Sequence, residues 1–481
     1  MKKMNLLVMS LVSAAALSFT SCSDSEDLAN DKAGQNKVDK FYMTLTVQTP
    51  TSNGTRTAQN NPREASKEES YVTSGTFYLV DANGKIAKSI IIDEKAWADA
   101  KVPQQGTDGK TTLQVPVENV TAGTKYSVYF LANATSASPL TDVYTSDLAN
   151  KFAKAYSADN KFAMFNQNDA DVKANSHTVV FTSDNKDANS AAKVSDIIKI
   201  DRLTARIDEP TSEATEIKAY AKDAKATEAE KNANEDAIKA VKGVTLTKYA
   251  ISNVANKTNV MQQWDDATTL KIPTGITYFQ PTSEFGTKTL LQNYGYFNAV
   301  TTDKSHKDYV FENNSSDAAT SMYFEYTVEL SDDYKTNADF EDGTFYRYNK
   351  VIYSRIQDII DDYKDVKAIF NGQTKDAVIA ELKAAKADPD SETKLDEFRK
   401  KYDIEVFNAG KTYYVQKIKD QYLSAENTIQ RNSIYLLNVK NIFNVGAQVP
   451  NGGPDDRTLY YLDVEVSVNP WVLNTQDVDF K

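Results

Sequence analysis

The chain has 481 residues, of which 41% are hydrophobic, 10% aromatic and 25% charged, which is typical of a globular protein with two to four domains. A formal net charge of −12 argues against a nucleic-acid binder, which needs a basic surface. With one cysteine, Cys22, and two histidines, His177 and His306, the sequence excludes an intrachain disulfide, and we expect no metal, no cofactor and no catalytic residues.

The N-terminus has the three parts of a secretory signal. Lys2 and Lys3 form a positive start, Leu6–Leu17 is an apolar stretch too short to span a bilayer, and small residues lead to Cys22. The segment Leu17–Cys22 resembles a bacterial lipobox, in which the cysteine is lipidated and becomes the first residue. The alternative is an ordinary signal with a chance cysteine. We predict a signal peptide over residues 1–21, lipidation at Cys22 and a polar tether after it.

A strand with one apolar face follows the tether. Alternate residues from 41 to 47 are apolar, and the residues between them are Tyr or Thr, so the pattern predicts a half-buried β-strand whose inward residues are Phe41, Met43, Leu45 and Val47. The strand ends at Pro50. A loop of small and polar residues, 51–70, comes next and contains Arg56 and Arg63.

The middle of the chain alternates between strand and helix patterns. Strands are predicted at Thr76–Val80, Ile86–Ile92, Thr112–Val117, Tyr126–Leu131, Thr178–Phe181, Val244–Val254, Gly275–Phe279, Met322–Leu330, Thr412–Ile418 and Ser433–Val439. An Ala/Lys/Glu-rich stretch at 222–240 favours a solvated helix. Apolar residues at helical spacing over 355–402 predict two or three amphipathic helices inserted into a β-domain.

The C-terminal segment has the longest strand pattern. Apolar residues alternate from Tyr460 to Val468, and Pro470 is expected to interrupt the strand because proline lacks the N–H that a ladder needs. In the tail that follows Trp471, three apolar residues share one parity: Val472, Val478 and Phe480. Such a tail has an apolar face to bury. It either folds back on its own domain or inserts into another molecule.

Several of these segments together resemble the fimbrillins of Bacteroidales, the subunits of type V pili, and most closely the minor-fimbrillin branch. The resemblance rests on the lipobox, the alternating strand, an arginine in the following loop, two β-rich halves, Asp201–Ile207, Arg431–Tyr435 and Val468–Trp471. It is weakest over residues 215–240 and 355–405. The likeness covers most of the chain, but no single motif is specific by itself.

The resemblance implies a mainly β fold with two transthyretin-like or Greek-key β-sandwich domains. The expected parts are a propeptide at 22–56, an N-terminal domain at 57–195 and a C-terminal domain at 196–481. Helical insertions are expected at about 215–242 and 355–405, and a donor strand at about 471–481.

The resemblance also implies a mechanism. An outer-membrane lipoprotein precursor is cut by an arginine-specific protease, the first strand leaves, and the C-terminal strand of another copy fills the groove. We place the cut after Arg56, in a loop of small residues, with Arg63 as the alternative. The expected partners are further copies in a head-to-tail filament, accessory pilus subunits and the protease, and the mature form would lie in an adhesive extracellular fimbria.

Other interpretations of the same residues remain open. The first strand could belong to a stable lipoprotein that is never cut, and the tail could pair within its own domain. A surface-anchored lipoprotein that binds glycans or another ligand without polymerising is the main alternative function. An enzyme would need a carboxylate pair in a cleft, and the sequence offers no such pair.

Overall fold

β-Strands dominate the computed structural model, so the mainly β fold class is confirmed. The structure describes residues 39–50, 63–66, 68–102, 109–134, 139–168, 177–221, 225–266, 269–279, 297–365, 369–420, 423, 427–450 and 461–472. All of them belong to one compact unit that begins at Asp39. The predicted domain boundaries stay predictions.

The first half of the described chain forms eleven strands, one short α-helix and three 3₁₀ helices. The strands are β1 (Lys40–Gln48), β2 (Arg63–Glu64), β3 (Gly75–Val80), β4 (Ile86–Ile92), β5 (Lys110–Glu118), β6 (Lys125–Ala132), β7 (Asp147–Ala149), β8 (Met164–Asn166), β9 (Thr178–Val180), β10 (Ala192–Lys193) and β11 (Ile198–Arg202). The helix α1 spans Glu94–Ala100, and the 3₁₀ helices span Lys151–Tyr156, Ser183–Lys186 and Ala188–Ser190.

A nine-stranded sheet organises this half. Its order is β10-β1-β11-β8-β6-β3-β4, with β5 also paired to β1 and β9 also paired to β6. Inward side chains from β1, β5, β3, β6 and β11 form a single apolar cluster, which we call the first core. Strands from different regions of the sheet, β1 with β5 and β3 with β6, contribute side chains to this one core. The arrangement is therefore a β-sandwich.

The described residues of the second half form seventeen strands and five α-helices. The strands are β12 (Ala205–Asp208), β13 (Thr211–Ser212), β14 (Val241–Ser252), β15 (Val254–Ala255), β16 (Lys257–Asn259), β17 (Gln263–Trp264), β18 (Leu270–Lys271), β19 (Tyr278–Phe279), β20 (Asn298–Ala299), β21 (Lys307–Val310), β22 (Ser321–Leu330), β23 (Phe345–Tyr348), β24 (Val351–Tyr353), β25 (Glu405–Phe407), β26 (Lys411–Lys417), β27 (Ser433–Ile442) and β28 (Leu462–Val472). The helices are α2 (Glu228–Ala240), α3 (Asp332–Lys335), α4 (Ile356–Asp362), α5 (Lys375–Ala387) and α6 (Ser391–Tyr402), with 3₁₀ turns at Ile369–Gly372 and Asn408–Gly410.

Two sheets of this half enclose a second core. A six-stranded sheet has the order β2-β28-β27-β12-β21, with β13 on β27, and a four-stranded sheet has the order β20-β14-β22-β26. Side chains from both sheets meet in one apolar cluster, the second core, around Tyr326, Tyr435 and Leu437. Smaller ladders join β24-β23-β25, β15-β19, β16-β7 and β17-β18.

Helices α2, α4, α5 and α6 lie within the segments where helical patterns predict them, whereas α1 and α3 were not predicted. A capping box between Thr227 and Glu230 starts α2, and its buried face includes Ala233 and Ala237, so this helix is packed on one side. Helices α4, α5 and α6 share a separate apolar cluster with β23–β25, which includes Ile359, Leu382 and Phe398. The predicted insertion at 355–405 therefore has a small core of its own.

The expected interruption at Pro470 was wrong. Strand β28 continues through this residue to Val472, and Pro470 lies opposite Ser433, the first residue of β27. Pro470 lies at the end of the ladder between β27 and β28, where few further ladder bonds are needed. The strand can therefore continue although proline lacks an N–H.

Candidate functional site

The first strand occupies an interior position in its sheet. All nine residues of β1 pair with β5 in an unbroken antiparallel register, from Lys40 opposite Glu118 to Gln48 opposite Lys110. On its other side β1 pairs in parallel with β10, where Met43 faces Ala192, and with β11, where Val47 faces Ile198. The strand is therefore hydrogen-bonded along both edges.

The inward side chains of β1 are almost completely buried, as the alternation predicts. Exposures are 1% for Phe41, 0% for Met43, 3% for Leu45 and 2% for Val47. The Phe41 ring lies 5.5 Å from that of Phe181, measured between centroids. Burial of four such side chains contributes about 1.5–3 kcal/mol each. The strand thus supplies a substantial part of the first core.

The neighbouring strand β10 depends on β1 for its place in the sheet. Among the described strands, β10 pairs with β1 alone. The segment around β10 is held by a 2.9 Å bond from the Val194 N–H to the Thr44 carbonyl, and by an exposed ion pair of 2.7 Å between Lys186 and Asp39. On the opposite wall, β5 belongs to the first core through Leu113, Val115 and Val117. Taking β1 away would leave a groove with β5 on one side.

The two candidate cleavage residues differ in their surroundings. Arg56 lies outside the described residues. The backbone of Arg63 belongs to β2, which pairs in parallel with β28 so that Arg63 faces Trp471 and Glu64 faces Val472. The structure thus brings the end of the candidate loop to the start of the candidate donor tail, two segments more than 400 residues apart.

The tail itself is described only at its beginning. Trp471 and Val472 are the last two residues of β28. Val478, Phe480 and the lipidation candidate Cys22 lie outside the described residues. Strand β28 pairs antiparallel with β27 from Leu462 to Pro470, so the candidate tail leaves directly from a strand of the second core.

A buried cluster of charges, not predicted from the sequence, surrounds Glu69 near the end of the segment 51–70. The carboxylate of Glu69, 1% exposed, accepts hydrogen bonds from Nη1 of Arg206 at 3.0 and 3.1 Å, from Nζ of Lys307 at 3.2 Å and from the Tyr309 hydroxyl at 2.6 Å. Burial alone would raise the pKa of Glu69, but the charge of Arg206 and the Tyr309 hydrogen bond outweigh it and lower the pKa to about 2. Glu69 is therefore ionised at neutral pH.

Arg202 connects this cluster to the C-terminal half. Its side chain is fully buried, and it donates from Nε to the Glu69 carbonyl at 2.8 Å, from Nη2 to Oγ of Ser70 at 3.2 Å and from Nη1 to Oδ1 of Asn432 at 2.9 Å. Burial lowers its pKa to about 10, so it remains charged. Neighbouring Arg431 forms a buried 2.6 Å pair with Glu312.

The two motifs that carried the resemblance therefore meet in space. Asp201–Ile207 and Arg431–Tyr435 contact each other through Arg202 and Asn432. Arg202 and Arg206 stand within an apolar run, and this pattern could have indicated a buried ionic network. Glu69 has no comparable signal, since it lies in the polar segment 51–70 and looks like an ordinary surface acid.

The environment of β1 combines ladders on both edges with an apolar core beneath it. Within the described part of the chain, no helix is long and apolar enough to cross a bilayer. The same residues contain no group of three or more His, Cys, Asp or Glu placed to hold a metal ion. What the geometry offers is a strand-shaped slot with an apolar floor and hydrogen-bonding walls.

Comparison with known families identifies one segment. Residues 405–477 match the family described as "Major fimbrial subunit protein type IV, Fimbrillin, C-terminal". The match runs from β25 through β28 and confirms the resemblance to fimbrillins over this segment. No curated protein is similar to the chain in sequence.

Several solved structures align with most of the chain. A Parabacteroides distasonis protein described as a cell adhesion protein aligns with a TM-score of 0.47 at 12% identity, covering 91% of this chain and 98% of that one. A fimbrilin of Porphyromonas gingivalis aligns with a TM-score of 0.41 at 13% identity, covering 90% and 98%. The tip fimbrial protein Mfa3 of the same organism aligns with a TM-score of 0.33 at 10% identity, covering 90% and 100%.

Proposed function

We propose that this chain is a subunit of a surface pilus and that it polymerises by strand exchange after proteolysis. The family match over residues 405–477 supports a pilus subunit role. The exchange mechanism is supported by one observation above all, the interior position of β1. An N-terminal strand that supplies four buried side chains and two ladders can be replaced only by another strand.

Proteolysis makes this replacement possible. While the loop after Gln48 is intact, β1 competes for its slot at the high effective concentration of a tethered segment, on the order of mM. A strand from another molecule cannot displace it. Once the loop is cut, β1 dissociates as a separate peptide, and the slot becomes available.

Arg56 is the proposed cleavage residue. Proteases act on exposed, unpaired chain, and nicking concentrates in loops of small polar residues. The backbone of Arg63 is paired with Trp471, which makes it a poorer substrate. Cys22 and β1 both precede Arg56, so a single cut would remove the lipid anchor and vacate the slot together.

The proposed occupant of the slot is the C-terminal tail of a second copy. Val472, Val478 and Phe480 share one parity, as the inward residues of β1 do. The tail follows β28 of the six-stranded sheet, whereas the slot belongs to the nine-stranded sheet, so the proposed contact is heterologous and adds subunits without closing. A head-to-tail filament results, in which β-strand addition forms each joint. The same proposal includes export of the precursor to the outer membrane as a lipoprotein and adhesion by the assembled pilus.

The experiment is proteolysis of the purified precursor with an arginine-specific protease. We expect an N-terminus at Thr57, ladders of SDS-resistant oligomers on unheated gels, and fibres by electron microscopy. A subunit that is cut, loses β1 and stays monomeric at high concentration would contradict the proposal. Binding of glycans by an uncut monomer without fibres would favour a ligand-binding lipoprotein instead.

A further inference from the structure

We infer that Glu69 is a positioning residue that anchors the new N-terminal segment of the cleaved subunit. This inference rests on the proposed function, because it concerns the subunit after the cut. Residues 51–62 connect two segments with different fates in the proposed mechanism. β1 lies before these residues and is released, whereas Ala65–Ser70 lies after them and has to stay in place.

The segment has to stay because it is part of the folded body. Ala65 is 3% exposed and belongs to the first core, the same cluster that β1 fills. If this segment left together with β1, the core beneath the slot would lose further contacts. An incoming strand would then meet a collapsed or widened groove. Retention of the segment is therefore a condition for an ordered slot.

The contacts of Glu69 suit an anchor. Its carboxylate joins three side chains from two other strands, Arg206 of β12 with Lys307 and Tyr309 of β21. The same carboxylate accepts a 2.8 Å bond from the N–H of Ser66, which closes the local turn. Both β12 and β21 belong to the six-stranded sheet, which has no ladder with β1, although Tyr309 also packs against the first core. The hydrogen bonds and ion pairs of the anchor therefore involve no residue of the strand that leaves.

Backbone contacts of the segment strengthen this attachment. Arg202 donates to the Glu69 carbonyl at 2.8 Å, and the Glu68 carbonyl accepts from the N–H of Asn160 at 2.7 Å. Glu68 itself points its side chain to solvent. Adjacent residues of the same type therefore have opposite environments, which provides a matched control.

The charge of the anchor is essential to its role. Two cations and a hydroxyl converge on one buried carboxylate, and an amide of the same shape would leave Arg206 and Lys307 without the full countercharge. Glu69→Gln keeps the size of the side chain, removes its charge and replaces one acceptor oxygen by an NH2 donor. We expect this change to loosen the segment most once the covalent link to β1 has been cut.

The test uses hydrogen exchange on the full precursor with a sequence-specific protease site inserted at residues 52–58, so that cleavage does not depend on the natural enzyme. In the wild-type chain, amides at 65–74 should keep their protection after the cut. In Glu69→Gln they should exchange at least tenfold faster after the cut, with a smaller change before it. Glu68→Gln should behave as wild type.

Unchanged protection at 65–74 in the cut Glu69→Gln protein would overturn the inference. Tyr309→Phe, which removes one hydrogen bond and no charge, should give an intermediate effect and serves if Glu69→Gln does not fold. Failure of the proposed function has a different signature. In that case the cut wild-type protein keeps the segment protected and forms no oligomers.

Discussion

Nη1 of Arg202 donates a 2.9 Å hydrogen bond to Oδ1 of Asn432, which lies 230 residues later in the chain. Both side chains are buried, and Asn432 in turn donates from Nδ2 to Asp201 at 3.2 Å. The bond links β11 of the first sheet with the residue just before β27 of the second. The two cores are therefore joined by a polar contact between the two motifs on which the resemblance depends.

Substitution of Asn432 should destabilise the uncut protein. Asn432→Ala removes a buried acceptor of a charged donor, which costs about 1.5–3 kcal/mol. It also places alanine at a φ of 55°, which costs roughly 1–2 kcal/mol more. Asn432→Gly also loses the hydrogen bond, but glycine adopts this φ without strain. Urea denaturation should therefore give a smaller loss of unfolding free energy for Asn432→Gly than for Asn432→Ala. Equal losses for both variants would contradict the role of the backbone conformation.

Leu45→Ala should affect only the uncut protein. Leu45 is 3% exposed and faces Leu113 in the first core, so truncation should cost about 2–5 kcal/mol of the free energy of unfolding. After cleavage and release of β1 the residue is gone, and the mature subunits should have equal urea midpoints. Thr44→Ala, on the other face of β1, is the control. A difference that persists in the cleaved protein would mean that β1 stays bound.

Arg56→Ala should block processing and Arg63→Ala should not. We expect the Arg56 variant to remain a full-length lipoprotein in cells and the Arg63 variant to start at Thr57. N-terminal sequencing of surface protein distinguishes these results. Processing that is lost only in Arg63→Ala would assign the cut to β2, whose pairing with β28 would then have to open first.

The tail should enter the slot with the side chains of one face, which include Val478 and Phe480. Replacing both Val478 and Phe480 by Asp should abolish the SDS-resistant ladder of cleaved subunits, because two charges would enter an apolar slot. Replacing Asp477 and Asp479 by Ala changes the other face and should leave the ladder intact. Deletion of residues 472–481 should match the first variant. Polymerisation of the truncated protein would contradict the assignment of the donor.

The anchor predicts a specific loss of stability in acid. The pKa of Glu69 is about 2 in the folded protein against an ordinary 4.5, so its contribution is complete above pH 4.5 and declines as the pH falls towards 2. The shift corresponds to about 3 kcal/mol. Urea titrations should therefore find the wild type more stable than Glu69→Gln at pH 6, with the difference shrinking by pH 2.5. A constant difference across this range would exclude the ionised carboxylate as its source.

Local patterns predicted the longer strands well, whereas the strand expected at Gly275–Phe279 was wrong except at its last two residues, Tyr278–Phe279. The expected strand at Ile86–Ile92 has the observed bounds, and Phe41–Val47 extends by one residue at each end. Alternation of apolar residues is a property of neighbouring positions, and so is the helical spacing that predicted α4, α5 and α6. These elements could be found because each buries one face.

The buried charges could not be found in this way. Glu69 meets Arg206 and Lys307 across sequence separations of 137 and 238 residues, and no local period encodes such a meeting. Short strands such as β10 were not predicted, for a related reason. Two residues have too little pattern of their own, and Ala192 and Lys193 are extended because β1 pairs with them.

The mixed neighbours of β1 have a consequence for any fibre built from this chain. β5 runs against β1, whereas β10 and β11 run with it. A strand that enters in the direction of β1 restores both kinds of pairing, so the slot itself distinguishes head from tail. Every joint between subunits then has the same direction, and the two ends of such a fibre differ chemically. One presents a vacant slot and the other an unused tail, so that base and tip can be recognised by different proteins.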